Sequence, residues 1–130
     1  MPVWKHADLT GDIIDAFYTV ARSLKYCRSY SIFNLAEAMK IELQKRNHRV
    51  GREVSVPRTY DHHSIGSDRV DLVVDQLVAI VVKNNARITA VHHDKLRAYV
   101  ADGGWPVGLL LNFGGEEPEV WRIDRREESN

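Results

Sequence analysis

The sequence predicts an α/β protein: a mixed central β-sheet flanked by helices, with an extra helix at the N-terminus. Three observations carry this reading. Apolar residues recur at three- and four-residue spacing through the first 45 positions, the mark of amphipathic helices. The period then changes to alternation, and strand-like runs follow one another across turn residues. A further helical segment separates these runs from a last apolar stretch, "VGLLLNF", so a meander is followed by a crossover helix and the sheet must mix parallel and antiparallel pairs.

The elements follow in order. In "LTGDIIDAFYTVARSLKY", Ile13, Ile14, Phe17, Val20, Ala21 and Leu24 form one stripe, with Thr10 or Asp12 near the helix start. A second helix, "SIFNLAEAMKIELQKRN", buries Ile32, Leu35, Ala36, Met39 and Leu43, and keeps Glu37, Lys40, Glu42, Gln44 and Lys45 on a solvated face. "VGREVSVPRTY" alternates Val50, Arg52, Val54 and Val56 against Glu53 and Ser55, and Pro57 caps the run. "DHHSIGSD" reads as a turn in which Gly66 takes a positive φ. The strand "RVDLVVD" then turns at Asp75–Gln76 into "LVAIVVK", apolar on both faces and therefore central. "ARITAVHHDKLRAYVADGG" reads as a helix capped by Thr89, burying Val91, Leu96, Tyr99 and Val100, and ended by Gly103–Gly104. The strand "VGLLLNF", the turn "GGEEPE" and a short strand "VWRID" complete a single domain over residues 1–124, with residues 125–130 expected as a disordered tail.

Composition narrows the function classes. A chain of 130 residues with 44% hydrophobic and 28% charged residues is long enough for one buried core. Its 18 basic and 18 acidic side chains cancel, which argues against strong unspecific nucleic-acid binding and removes a barrier to self-association. The single Cys27 can form no internal disulfide and reads as a small apolar side chain. No signal-peptide pattern and no apolar run of about 18 residues is present, so a cytoplasmic protein without a membrane partner is expected. The pairs His62–His63 and His92–His93 read as surface or turn histidines, because adjacent residues diverge on strands and helices alike. Trp4, Trp105 and Trp121 read as core edges or contact residues.

Three segments are more specific: "AEAMKIELQKRNHRVGREVSVPRTY", "DRVDLVVDQLVAIVVK" and "LRAYVADGGWPVGLLLNFG". Together they make the chain resemble the GxxExxY group of the PD-(D/E)XK nuclease superfamily, from about Leu9 to Asp124. The resemblance implies a restriction-endonuclease-like (αββ βαβ) core after the extra helix. It also implies a Mg²⁺ site made by a strand Asp, a Glu two residues before a Lys, and a helix Glu, with a Gln in the later helix. Carried over by position, the Asp is Asp71 and the Lys is Lys83. The Glu before that Lys is Val81, the helix Glu falls on Ile32, and the Gln falls on Lys95.

Catalysis should therefore be lost. Residues two apart on a strand share a face, so Val81 presents a methyl group where Mg²⁺ asks for an oxygen. Asp71 and Lys83 are expected as remnants, paired with each other or with backbone groups, and Asp71 is the one residue left to meet a metal. Glu37, five positions after Ile32 and so about 140° around a helix, should face elsewhere; Glu53 is the other carboxylate that could stand in. No cofactor is expected, Mg²⁺ entering only if ligands have relocated. The first functional expectation is an inactive nuclease-fold protein acting by self-association, as a homo-oligomer, or by binding a protein, with Trp105 or Trp121 in the contact. The second is a non-catalytic nucleic-acid binder using Arg49, Arg52, Arg69, Lys83 and Lys95, and the third is a Mg²⁺-dependent nuclease with relocated ligands.

Overall fold

The computed structural model describes residues 5–125. Two helices, α1 (Ala7–Ser23) and α2 (Ile32–Lys45), lead into a hairpin of β1 (Val50–Tyr60) and β2 (His63–Val74). Then come β3 (Val78–Lys83), α3 (Ala90–Gly103), β4 (Val107–Asn112) and β5 (Glu119–Asp124). The five strands pair in chain order, antiparallel except for β3 and β4, which run parallel on either side of the α3 crossover. The mixed sheet and the flanking helices are those the sequence predicts. The tail expected at 125–130 lies outside the described residues apart from Arg125, as does Trp4.

Helices α1 and α2 cover one face. Ile13, Phe17, Leu35, Met39 and Leu43 pack there on Leu72, Val74, Ile80, Leu109 and Leu111. Helix α3 covers the other face, where Leu96, Tyr99 and Val100 meet Val70, Val73, Ala79, Val81 and Leu110. Strands β3 and β4 are buried along their length except at Lys83, as expected for strands covered on both sides. Close approach of α3 depends on Gly108, where an added Cβ would run into Val100 Cγ2 and Leu96 Cδ1.

Several local expectations are corrected. Helix α1 starts at Ala7, ahead of Thr10 and Asp12, whose side chains are used elsewhere than at its start, Asp12 on Arg46 and His48. The Thr10 hydroxyl bonds back to the carbonyls of His6 and Ala7 and receives Arg122 Nη1 at 2.9 Å. The stretch read as a turn from Asp61 to Asp68 is mostly strand: the reversal needs only Asp61 and His62, both left-handed (φ 49° and 62°). Gly66 does take a positive φ, of 130°, beside a register shift in the ladder. Asp75 and Gln76 form the next tight turn as expected, with φ of 50° and 59°. Val91 is exposed; it lies five residues, about 140°, from the buried Leu96.

The alternation along β1 does not hold one face. Val50 packs with the α1–α2 core and Arg52 reaches α2, whereas Val54 and Val56 pack on the α3 side. Between them Glu53 is left-handed at φ 50°, and this turns the strand over. Strand β2 changes face at the same level, with Leu72 on one side and Val70 on the other.

Candidate functional site

The β2–β3 ladder is short, running only from Leu72↔Ile80 to Val74↔Val78. Beyond Leu72 the two strands part. The Asp71 carboxylate takes over where the backbone partner is missing: its Oδ2 accepts the Val82 N–H at 2.7 Å. Burial pushes the Asp71 carboxyl above its ordinary range, against the opposing effect of that N–H and of nearby Lys83 and Arg52. Asp71 and Lys83 form no ion pair among the described residues, so the backbone half of the expected pairing is the one seen.

Where the strands part, a cleft of about 130 Å³ opens, lined by Ile32, Arg69, Asp71, Val81, Lys83, His92, Lys95 and Tyr99. The residues aligned from sequence as the nuclease positions thus converge. Ile32 opens α2, Val81 and Lys83 share one face of β3, and Lys95 stands on α3. The capping box at Ser31, with its hydroxyl on Asn34 N–H, fixes where α2 begins and so delivers Ile32 to the rim. Lys83 is placed by the loop that follows it. Asn84 Nδ2 donates to the carbonyls of Cys27 and Tyr30, and the fully buried Asn112 joins the Asn85 backbone to Gly114 and Glu119. Cys27 is half-buried against the same core.

The cleft also holds a residue that the sequence reading assigned to the surface. His92 is half-buried, and its Nδ1 accepts the Thr89 N–H at 2.9 Å. Burial holds its pKa below the usual histidine value, helped by the charges of Lys83 and Lys95. The signal was available: a histidine three residues after a Thr N-cap can reach back to the cap's N–H. His93 instead packs its ring edge-on against Trp121, with centroids 4.1 Å apart. His62 and His63 are exposed.

Two of the five cations proposed for a nucleic-acid groove do not join the cleft. Arg52 lies over the Phe33 ring at 5.0 Å with Nε 3.3 Å from Glu37, a structural contact with α2. Arg49 sits at the far end of the sheet beside Gln76 and Trp105. The carboxylates considered as substitutes are also engaged: Glu37 with Arg52, and Glu53 with Arg69 at 3.5 Å. No group of three or more His, Cys, Asp or Glu side chains positioned to hold a metal occurs among the described residues. Mg²⁺ asks for near-octahedral oxygen ligands. A cleft with one carboxylate, already bonded to a backbone N–H, and three cationic side chains does not fit it.

A mixed sheet with helices on both faces, and an Asp and a Lys brought together where two central strands part, defines a nuclease-type α/β architecture. A family comparison matches residues 7–123 to the PD-(D/E)XK nuclease superfamily, and the chain belongs to it. Its fold is accordingly restriction-endonuclease-like, preceded by an N-terminal helix. Comparison with the curated proteins gave no match, and neither did comparison with the solved structures. No helix among the described residues is long and apolar enough to cross a membrane.

Proposed function

We propose that this chain is a nuclease-fold protein that has lost metal-dependent phosphodiester cleavage and acts by binding, as a self-associating or protein-binding module. One observation carries the loss of catalysis: among the described residues Asp71 is the only carboxylate lining the cleft, with Val81 and Ile32 beside it. Support for association comes from outside the cleft. Strand β5 is an outer strand with Trp121 38% exposed, and Trp105 borders an apolar groove with Val50, Val54 and Val73. An exposed aromatic side chain on an unpaired strand edge favours protein contacts. Incubation of the purified protein with single- and double-stranded DNA and RNA, in Mg²⁺ or Mn²⁺, should give no cleavage. Cutting that disappears in Asp71→Ala and in Glu53→Gln would establish relocated ligands and refute the proposal. Sedimentation at micromolar concentration should show a species heavier than the 14.9 kDa chain, and Trp121→Ala should weaken it.

A second reading has its own support. Arg69, Lys83 and Lys95 border one cleft, which suits a non-catalytic contact with a nucleic-acid backbone. Binding that weakens steeply with salt, and further in Lys83→Ala, would favour this reading over a purely protein-binding role.

A further inference from the structure

We propose that the cleft binds a single oxyanion directly, without a metal: the phosphate group of a phosphomonoester or free phosphate, held by Lys83 and Lys95. The place where the superfamily's pattern calls for a divalent cation is then an anion site. This rests on the reading that catalysis is lost, and deepens it by naming the ligand chemistry.

The charge inventory is the first support. Lys83 is half-buried, and neither it nor Lys95 forms an ion pair among the described residues. A half-buried ammonium without a carboxylate partner is costly unless something negative meets it. Several cations outside the cleft are answered. Arg46 meets Glu42, Asp12 and Asp15; Arg58 meets Asp68 and Asp102; Arg52 meets Glu37. The one carboxylate among the described residues lining the cleft, Asp71, accepts the Val82 N–H.

Hydrogen-bond polarity is the second. His92 Nδ1 accepts the Thr89 N–H, and its Nε2 lies 3.4 Å from the Asn85 side-chain amide. Both ring nitrogens are thus engaged by neighbours, and His92 shapes the cleft wall. Lys83 and Lys95 can only donate. Two ammonium donors bordering one cleft suit an acceptor-only ligand. Size is the third support. A space of about 130 Å³ equals roughly four waters, enough for one tetrahedral oxyanion and too small for a nucleoside. The ligand is thus a charged group, with whatever carries it remaining outside.

The test is a thermal-shift titration of the intact chain with inorganic phosphate in EDTA. At tenfold excess over the dissociation constant, Tm should rise by about 5 °C. Lys83→Ala and Lys95→Ala should each weaken binding at least tenfold. No shift, or a shift that Lys83→Ala and Lys95→Ala leave intact, would overturn the site. If instead phosphate binds only with Mg²⁺ and Asp71→Asn abolishes it, the loss-of-metal reading falls as well. A nuclease assay without cleavage, alongside no phosphate binding, would remove this inference alone. A 5′-phosphorylated oligonucleotide that binds better than its 5′-hydroxyl counterpart would support the site and identify a nucleic-acid end as the source. Equal binding of the two, with retained response to free phosphate, would support the site and identify a small phosphate.

Discussion

Replacing His48 by alanine should destabilise the fold in a pH-dependent way. His48 stands between two carboxylates on different elements. Its Nε2 lies 2.6 Å from Asp12 of α1, and its Nδ1 lies 2.7 Å from Asp75 in the β2–β3 turn. Two acceptors need two N–H donors, so the ring serves both only as imidazolium. Burial alone would lower the His48 pKa, but the two carboxylates outweigh it and raise it above 6.5. The hydrogen bond from His48 correspondingly lowers Asp12, while Asp75 is lowered by the Arg49 N–H and His48 against burial. A raised histidine contributes stability fully below its unfolded value and loses it as pH rises through the folded one. The lowered carboxylates contribute above about 3.8 and lose it as pH falls through their folded values.

The cluster therefore works best between about pH 4 and 6.5. Hydrogen bonds to charged groups are worth about 1.5–3 kcal/mol each. Asp12 is more than a third exposed and keeps Arg46, so the pair is discounted to about 2 kcal/mol in total. For 130 residues the entropy of unfolding makes each kcal/mol worth about 4 °C, so His48→Ala should lower Tm by about 8 °C near pH 6. By about pH 8.5 the difference should fall below half of that, one carboxylate then facing a ring lone pair. Calorimetric scans of both proteins across this range decide it. A difference that stays constant from pH 6 to 8.5 would refute the two-donor ring.

Three further predictions concern the cleft's supports. Gly108→Ala places a Cβ against Val100 and Leu96 and should cost about 1–3 kcal/mol, read by urea denaturation with an unchanged m-value. Asn112→Ala leaves the Asn85 and Gly114 N–H groups without their side-chain acceptor and should cost about 3 kcal/mol or more, with faster hydrogen exchange at both amides. Asp71→Asn keeps an acceptor for the Val82 N–H but removes a buried charge, so Tm should rise by a few degrees at neutral pH. Because the Asp71 pKa is raised, the native protein recovers that stability as pH falls toward 3.8, and the gain in the variant should vanish there. A lower Tm for the variant at pH 7 would show that Asp71 acts through its charge.

The sequence by itself determined the helices, the central strands, the Asp75–Gln76 turn and the mixed sheet. These follow from local periodicity and turn chemistry, which act over a few residues and are written in the chain. It also placed Val81 two residues before Lys83, because strand alternation is local. What it could not decide were contacts between residues far apart. The change of face at Glu53 breaks the parity that a strand reading assumes, and it is enforced by packing of α2 on one side and α3 on the other. The same holds for Arg52, whose partner Glu37 lies on another element, and for His48, whose two carboxylates are 36 and 27 positions away. The cleft belongs to this second kind. Asp71, Lys83, His92 and Lys95 become one site only because β2 leaves β3 after Leu72 and the start of α3 closes over the gap, and no pattern within a single segment records where two strands part.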